Sequence, residues 1–162
     1  MNKNTVSLYE KWMHEASMLA KAGMDKNEGG PFGAVIILNN EIVGRGWNQV
    51  LTTKDPTAHA EIVAIRDASK HLQRFHLAAC ELYTTCEPCP MCLSAIYWAR
   101  IPTIYYSNSR EDAKAIGFND AFIYDELGLS LDKRSVKMIL VIDAEAGKLF
   151  SEWKLKGDKR LY

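Results

Sequence analysis

The sequence has no long apolar segment. None of its 162 residues lies in a stretch that approaches the ~20 apolar residues of a membrane-spanning helix. The opening residues, MNKNTVSLYEKW, also lack the apolar core of a signal peptide. We therefore expect a cytoplasmic protein without a membrane partner.

The sequence also lacks an excess of charge of either sign, because 20 Lys and Arg residues balance 20 Asp and Glu residues. A chain without net charge offers no broad field that would attract nucleic acid or an anionic surface. The basic stretch WKLKGDKR near the end is a local candidate for an RNA contact, and it equally suits a solvated tail. The charge balance favours the second interpretation, so nucleic acid is not the expected partner.

Cysteine is scarce, but its distribution is uneven. Three of the four cysteines, Cys86, Cys89 and Cys92, lie within the seven residues CEPCPMC. In a reducing compartment such a cluster indicates a metal site or a reactive site rather than disulfide bonds. Pro88 and Pro90 favour a helix start beside Cys89, where free backbone N–H groups stabilise thiolates.

Hydrophobic periodicity changes repeatedly between the helical and the extended pattern. The predicted helices cover residues up to about 24, then begin again at about residues 57, 89, 109 and 143. The predicted strands are FGAVIIL, EIVGRGWN, CELYTT, IPTIYYS and VKMILVI, with a tight turn at Asn39 and Asn40 joining the first two. Helices that alternate with strands are typical of an α/β fold. A chain of this length is predicted to form a single domain, residues 1–162.

Cys89 and Cys92 are three residues apart, a spacing that places both sulfur atoms on one face of a helix. Two thiolates do not complete a zinc site, so His59, in the stretch DPTAHAEIVAIR, is the candidate third ligand. Three protein ligands and one open position are typical of a catalytic zinc. We predict one zinc ion per chain at these three residues.

Glu61 lies two residues beyond His59, so its side chain takes a different direction from the imidazole. It is predicted to move protons between a zinc-bound water and the substrate without binding the metal. Ala58 and Ala60, on either side of His59, leave room for a ligand. We count Ala60 among the residues that contact the substrate.

Each of these features has a simpler explanation when taken alone. A C-x-x-C pair can be a redox pair or half of a four-ligand zinc site, and Glu61 can simply interact with a helix dipole. Cys86 and Cys89 form a second C-x-x-C pair, although the proline before Cys89 favours Cys89 and Cys92 as ligands. Together, H-x-E followed by P-C-x-x-C matches the signature of zinc deaminases.

With these motifs, the sequence resembles the cytidine deaminase-like superfamily and, within it, the bacterial guanine deaminases. The similar segments are GGPFGAVI, DPTAHAEIVAIR, YTTCEPCPMCLSAIYWAR and GFNDAFIYDEL. The resemblance extends over nearly the whole chain, and it is weakest in the first twenty residues and from 127 to 154. GFND differs from the family's usual GFDD at Asn119.

The resemblance implies a three-layer α/β/α fold around a mixed five-stranded sheet, and the hydrolysis of guanine, a small purine, to xanthine and ammonia. It assigns zinc to His59, Cys89 and Cys92, and proton transfer to Glu61. It assigns contacts with the purine to Phe32, Asn48, Phe118, Asp120 and Tyr162. It also implies a homodimer that exchanges a C-terminal segment, about residues 143–162, so that Tyr162 closes the partner's site.

Three other functions remain open. The first is deamination of another purine such as guanosine, because the motifs would be the same. The second is deamination of adenosine in tRNA, with WKLKGDKR as the RNA contact. The third is a structural zinc module that binds a protein partner, which would need Cys86 as a fourth ligand and would give Glu61 no role.

Overall fold

The computed structural model describes residues 3–161, with side chains described from residue 8 onward. The chain divides into two compact units, and the division falls after Phe122. The sheet and the predicted zinc ligands belong to the first unit. No helix among the described residues is both long and apolar enough to cross a bilayer.

The first unit is built on a mixed four-stranded sheet. Its strands are β1 (Gly33–Leu38), β2 (Glu41–Trp47), β3 (Glu81–Cys86) and β4 (Thr103–Asn108), in the order β2-β1-β3-β4. β1 runs antiparallel to β2 and β3, whereas β3 and β4 are parallel. Asn39 and Asn40 both have positive φ angles, 51° and 62°, as the predicted tight hairpin turn requires.

The described part of the chain also contains seven α-helices and one short 3₁₀ helix. They are α1 (Lys3–Asp25), α2 (Val50–Thr53), α3 (Ala60–Leu72), α4 (Pro90–Trp98), α5 (Arg110–Ala115), α6 (Ala121–Gly128), the 3₁₀ helix (Leu131–Lys133) and α7 (Ala144–Leu155). The sequence predicted five of the α-helices. The short helices α2 and α6 were not predicted.

The prediction of a five-stranded sheet is wrong for the described residues, because the segment VKMILVI is not a strand. Its apolar residues suit a strand, but a strand also needs a neighbour for its backbone N–H and C=O groups. Residues 136–142 pair with no described strand and are exposed, Leu140 by 89% and Ile142 by 90%.

The core lies on both faces of the sheet, since alternate strand residues point to opposite sides. On one face, Val35, Ile37 and Tyr83 pack against Trp12 and Ala16 of α1. On the other face, the buried residues come from the strands and from α3 and α4, and include Ala34, Ile36, Leu82, Ala60, Ala64, Ala68 and Ile96. Helices therefore cover both faces, and the starts of α3 and α4 share the second face.

The contact between α3 and β2 is unusually close at Gly46. A Cβ atom added to Gly46 would lie 2.1 Å from the carbonyl oxygen of Ala60 and 2.5 Å from the backbone nitrogen of Ala64. Both atoms belong to the helix backbone, which cannot rotate away as a flexible side chain can. Gly46 therefore sets how near the first turn of α3 lies to the sheet.

We expect Gly46→Ala to lower the free energy of unfolding by about 1–3 kcal/mol, the usual cost of overpacking a filled core. This cost exceeds the ~0.4–1 kcal/mol that replacing glycine can contribute through the unfolded chain. Chemical denaturation measures the difference. Gly128→Ala is the control, because its added Cβ meets no atom within 4 Å. Equal stability of the two variants would contradict the close contact.

Candidate active site

Two helices begin at the proposed zinc site. His59 is the residue that precedes α3, and Cys89 is the residue that precedes α4. Both have extended backbone angles, and neither side chain caps its own helix. Cys92 follows in the first turn of α4 and is fully buried. The free N–H groups of both helix starts favour negative charge on the cysteines.

The distances between these side chains suit a zinc ion. Nδ1 of His59 lies 3.6 Å from Sγ of Cys89 and 3.5 Å from Sγ of Cys92. All three ligand atoms lie within 4.8 Å of one another. Zn–S bonds of about 2.3 Å and Zn–N bonds of about 2.0–2.1 Å at a tetrahedral angle would place nitrogen and sulfur about 3.6 Å apart. The donor set therefore fits zinc, with Nδ1 as the histidine ligand.

Among the described residues, this metal-binding cluster consists of His59, Cys89 and Cys92 without a fourth protein ligand. Cys86 is not part of it, because its thiol instead lies 3.6 Å from the carbonyl oxygen of Ser109. Burial raises the pKa of Cys86 to about 11. These observations support a three-ligand site and argue against the structural zinc module.

The hydrogen bonds among the ligands prepare Cys89 for metal binding. The thiol of Cys92 donates to Cys89, which lowers the pKa of Cys89 to about 4 and raises that of Cys92. The hydrogen bond with Cys89 raises the pKa of His59. Zinc binds the deprotonated form of each ligand, and the lowered pKa of Cys89 favours that form for this ligand.

Glu61 lies in the first turn of α3 and is only 6% exposed. The hydroxyl of Thr84 donates to Oε1 of Glu61 at 3.3 Å. Burial is the main cause that raises the pKa of Glu61. A carboxyl with a raised pKa exchanges protons more readily near neutral pH, which suits a general acid and base.

A cavity of about 490 Å³ opens onto the ligands. Its walls contain seven of the predicted site residues, which are Phe32, Asn48, His59, Glu61, Cys89, Phe118 and Asp120. Ala60 does not line this cavity; it is fully buried and packs near Gly46. Tyr162 lies outside the described residues. The structure thus brings together most of the residues singled out from the sequence, although they are distant along the chain.

The walls of the cavity differ in character. Phe32 and Phe118 meet edge to face, with ring centroids 4.8 Å apart, and form an apolar wall suited to a flat ring. Asn48 is buried, and its Oδ1 accepts a hydrogen bond from the backbone N–H of Val50 at 3.1 Å. Its amide N–H groups are therefore the donors available to a ligand. Burial raises the pKa of Asp120 on another wall.

Sequence reasoning missed two charged residues in the cavity wall, Glu87 and Arg110. They form an ion pair, and the side-chain hydrogen bond from Arg110 is the main cause that lowers the pKa of Glu87. Glu87 follows β3 and Arg110 follows β4, so their meeting depends on the parallel pairing of these strands. No local motif could reveal it.

A family model described as the cytidine and deoxycytidylate deaminase zinc-binding region matches residues 6–108. The match covers more than half of the chain and includes all three zinc ligands and Glu61. The chain belongs to this deaminase family. The deaminase is a zinc-dependent hydrolase, and His59, Cys89 and Cys92 form its candidate metal site.

Within the family, the deaminase is similar to guanine deaminase of Bacillus subtilis. The two sequences are 44% identical over 154 residues, which is 95% of this chain and 99% of the relative. The X-ray structure of guanine deaminase from Bacillus subtilis superposes with a TM-score of 0.91 at 42% identity, and the match covers 100% of this chain and 99% of that one.

Less similar proteins include a deaminase of a different substrate and structures bound to purine analogues. A tRNA-specific adenosine deaminase of Aquifex aeolicus is 39% identical over 89% of this chain and 92% of its own length. Two solved structures in complex with 2,6-diaminopurine and 8-azaguanine match with a TM-score of 0.65 at 32% identity. Each match covers 69% of this chain, and 62% and 65% of those chains respectively.

We expect the purified deaminase to contain about one zinc per chain, and Cys89→Ala to lose the metal, because two ligands seldom hold a catalytic zinc. Metal analysis after dialysis measures this directly. Cys86→Ala is the matched control and should keep its zinc, because Cys86 is outside the ligand cluster. Loss of zinc in Cys86→Ala together with retention in Cys92→Ala would contradict this ligand set.

Proposed function

We propose that this deaminase hydrolyses guanine to xanthine and ammonia. The observation that carries the proposal is the position of Glu61, which lies beside the three zinc ligands at the wall of a cavity. The cavity volume, about 490 Å³, is typical of small-molecule sites, which span about 300–1,000 Å³. Similarity to the Bacillus subtilis enzyme over nearly the whole chain supports guanine as the substrate.

The protein's own residues would bind the ligands and move the protons. Zinc, when bound, supplies a lowered pKa, about 7, for a water molecule in its open position. Glu61 accepts a proton from the attacking water and delivers it to the ring nitrogen beside C2 of guanine. Glu61 then takes the second proton of the attacking water from the oxygen now bonded to C2 and delivers it to the amino group, and the C–N bond breaks to release ammonia as the C=O bond of xanthine forms. The Glu61 carboxyl acts first as a base and then as an acid. Its burial keeps bulk water from exchanging the transferred proton.

The remaining walls would orient the purine. Phe32 and Phe118 pack against its flat surface, and the free N–H groups of Asn48 donate to an acceptor such as the carbonyl oxygen or a ring nitrogen. Asp120 accepts from an N–H group of the base. These contacts distinguish a base by its pattern of donors and acceptors, because unpaired polar groups in a closed site are costly.

Substrate screening tests the proposal. Ammonia release should be much faster with guanine than with guanosine, adenine or adenosine-containing tRNA. Preference for guanosine would identify a nucleoside deaminase instead. Tight, strongly salt-dependent tRNA binding with adenosine deamination would support the RNA enzyme. We also propose a cytoplasmic location, which the four unpaired cysteines support.

We expect Glu61→Gln to lower guanine turnover by at least about 10²–10⁴-fold, the range for positioned acid–base catalysis. The amide keeps the shape of the side chain but cannot accept the proton, so zinc content should not change. Ammonia release and metal analysis on the same samples give both values. Glu41→Gln, an exposed change in β2, should behave like the unchanged enzyme. Near-normal turnover in Glu61→Gln would reject the proton-transfer role.

We also propose that the enzyme is a single-domain homodimer that exchanges its C-terminal segment between subunits. Two features of the described residues support exchange. Residues 136–142 are apolar except for Lys137, are exposed and have no strand partner, and β4 is an edge strand of the sheet. An exposed edge strand and an unpaired apolar strand sequence are complementary, because each can satisfy the backbone groups of the other.

In this assembly Tyr162 of one subunit closes the cavity of the other and leaves no room for ribose. We expect deletion of residues 159–162 to reduce guanine turnover sharply without loss of zinc, because the ligands lie elsewhere in the chain. Activity, metal analysis and the mass of the assembly in solution are the measurements.

Mixed dimers test whether the tail acts across the interface. A Glu61→Gln subunit is combined with a subunit that lacks residues 159–162. With exchanged tails, the truncated subunit keeps Glu61 and receives Tyr162 from its partner, so activity should partly return. Confirmed heterodimers that stay as inactive as both parents would show that the tail does not act in the partner's site.

A further inference from the structure

The ion pair of Glu87 and Arg110 joins two loops at the cavity wall. Nε and Nη2 of Arg110 donate to Oε1 of Glu87 at 3.1 and 2.6 Å. The backbone N–H of Arg110 donates to Oε2 of Glu87 at 3.1 Å. Both carboxylate oxygens are therefore engaged. A guanidinium that donates through two nitrogens fixes the direction of the pair as well as its distance.

Backbone contacts hold the same two loops together. The N–H of Glu87 donates to the carbonyl oxygen of Asn108 at 2.8 Å. Nδ2 of Asn108 donates in turn to the carbonyl oxygen of Thr85 at 2.7 Å. Cys86 and Asn108 are also register partners at the ends of the parallel strands β3 and β4. The ion pair thus extends, by one side-chain contact, the pairing between β3 and β4 into the loops that follow them.

The expected contribution of this pair to stability is small. Its side chains are 41% exposed at Arg110 and 21% exposed at Glu87, and exposed pairs contribute about 0–1 kcal/mol. Its position matters more, because Glu87 is two residues before the zinc ligand Cys89. A displacement of about 1 Å at a reacting centre can lower a rate by about 100-fold.

We propose that Arg110 is a positioning residue that acts through Glu87 to hold Cys89 in place relative to His59 and Glu61. Without the guanidinium, the loop that carries Cys89 keeps its backbone hydrogen bonds to the end of β4 but loses the side-chain contact that orients Glu87. The inference rests on the proposed function only for its activity readout, because retention of zinc tests it without any substrate.

The experiment compares Arg110→Gln, Glu87→Gln, the double variant and Arg110→Lys in the full-length protein. We expect each glutamine variant to lose zinc to a chelator faster, and to have a lower kcat with guanine, by about 10–100-fold, the range for losing an interaction that orients a metal ligand. KM should change much less. The double variant should be no worse than either single variant, since both remove the same contact.

Two further variants define the controls. Arg110→Lys keeps the charge but not the two-nitrogen geometry, so it should recover only part of the loss. Lys21→Gln removes an ion pair with Asp25 on α1, outside the cavity wall, and should match the unchanged enzyme. If Arg110→Gln fails to fold, zinc release and kcat of Arg110→Lys and Glu87→Gln are compared with the unchanged enzyme instead.

Two results would overturn the proposal. Losses that multiply in the double variant would mean that Arg110 acts independently of Glu87. Zinc release at the unchanged rate in both glutamine variants would mean that the pair does not hold Cys89. If the unchanged enzyme does not deaminate guanine, the proposed function fails, and the zinc-release comparison still decides the role of Arg110.

Discussion

The site depends on one geometric constraint, which is that the starts of α3 and α4 must come close enough for Nδ1 of His59 to lie about 3.5 Å from two sulfur atoms. Neither helix can meet this requirement alone. The absence of a side chain at Gly46 lets α3 lie close to the sheet, and the loop before α4 follows directly from the end of β3. Thiolates, histidine and the buried carboxyl then share the positive ends of two helices, which favours the charges that zinc binding requires.

Much of this site could be predicted from the sequence, because its chemistry is local. The spacing of Cys89 and Cys92, and of His59 and Glu61, fixes which side chains share the first turn of a helix. The combined motif, H-x-E followed by P-C-x-x-C, predicted that His59 would lie close to Cys89 and Cys92, and the structure confirms it. The roles of Phe32 and Asp120 in binding came from the family resemblance alone, and their place in the cavity wall is compatible with those roles without testing them.

What the sequence could not predict depends on distant parts of the chain. VKMILVI has the composition of a strand, but strand formation requires a partner that composition does not supply. Ala60 was expected near the substrate because it is small, whereas it is fully buried and its backbone carbonyl lies against Gly46 of β2. Glu87 and Arg110 meet because β3 and β4 are parallel neighbours, a relation that neither residue signals locally.

Part of the cavity wall comes from a different segment than the zinc ligands. His59, Cys89 and Cys92 lie at the starts of two helices anchored in the core, whereas Phe118 and Asp120 lie in the loop between α5 and α6. Loops tolerate changes that packed helices do not. If Phe118 and Asp120 bind the substrate as proposed, changes in this loop would alter substrate choice without altering the zinc ligands. This division would then be a physical basis for one family containing deaminases of a free base and of a tRNA.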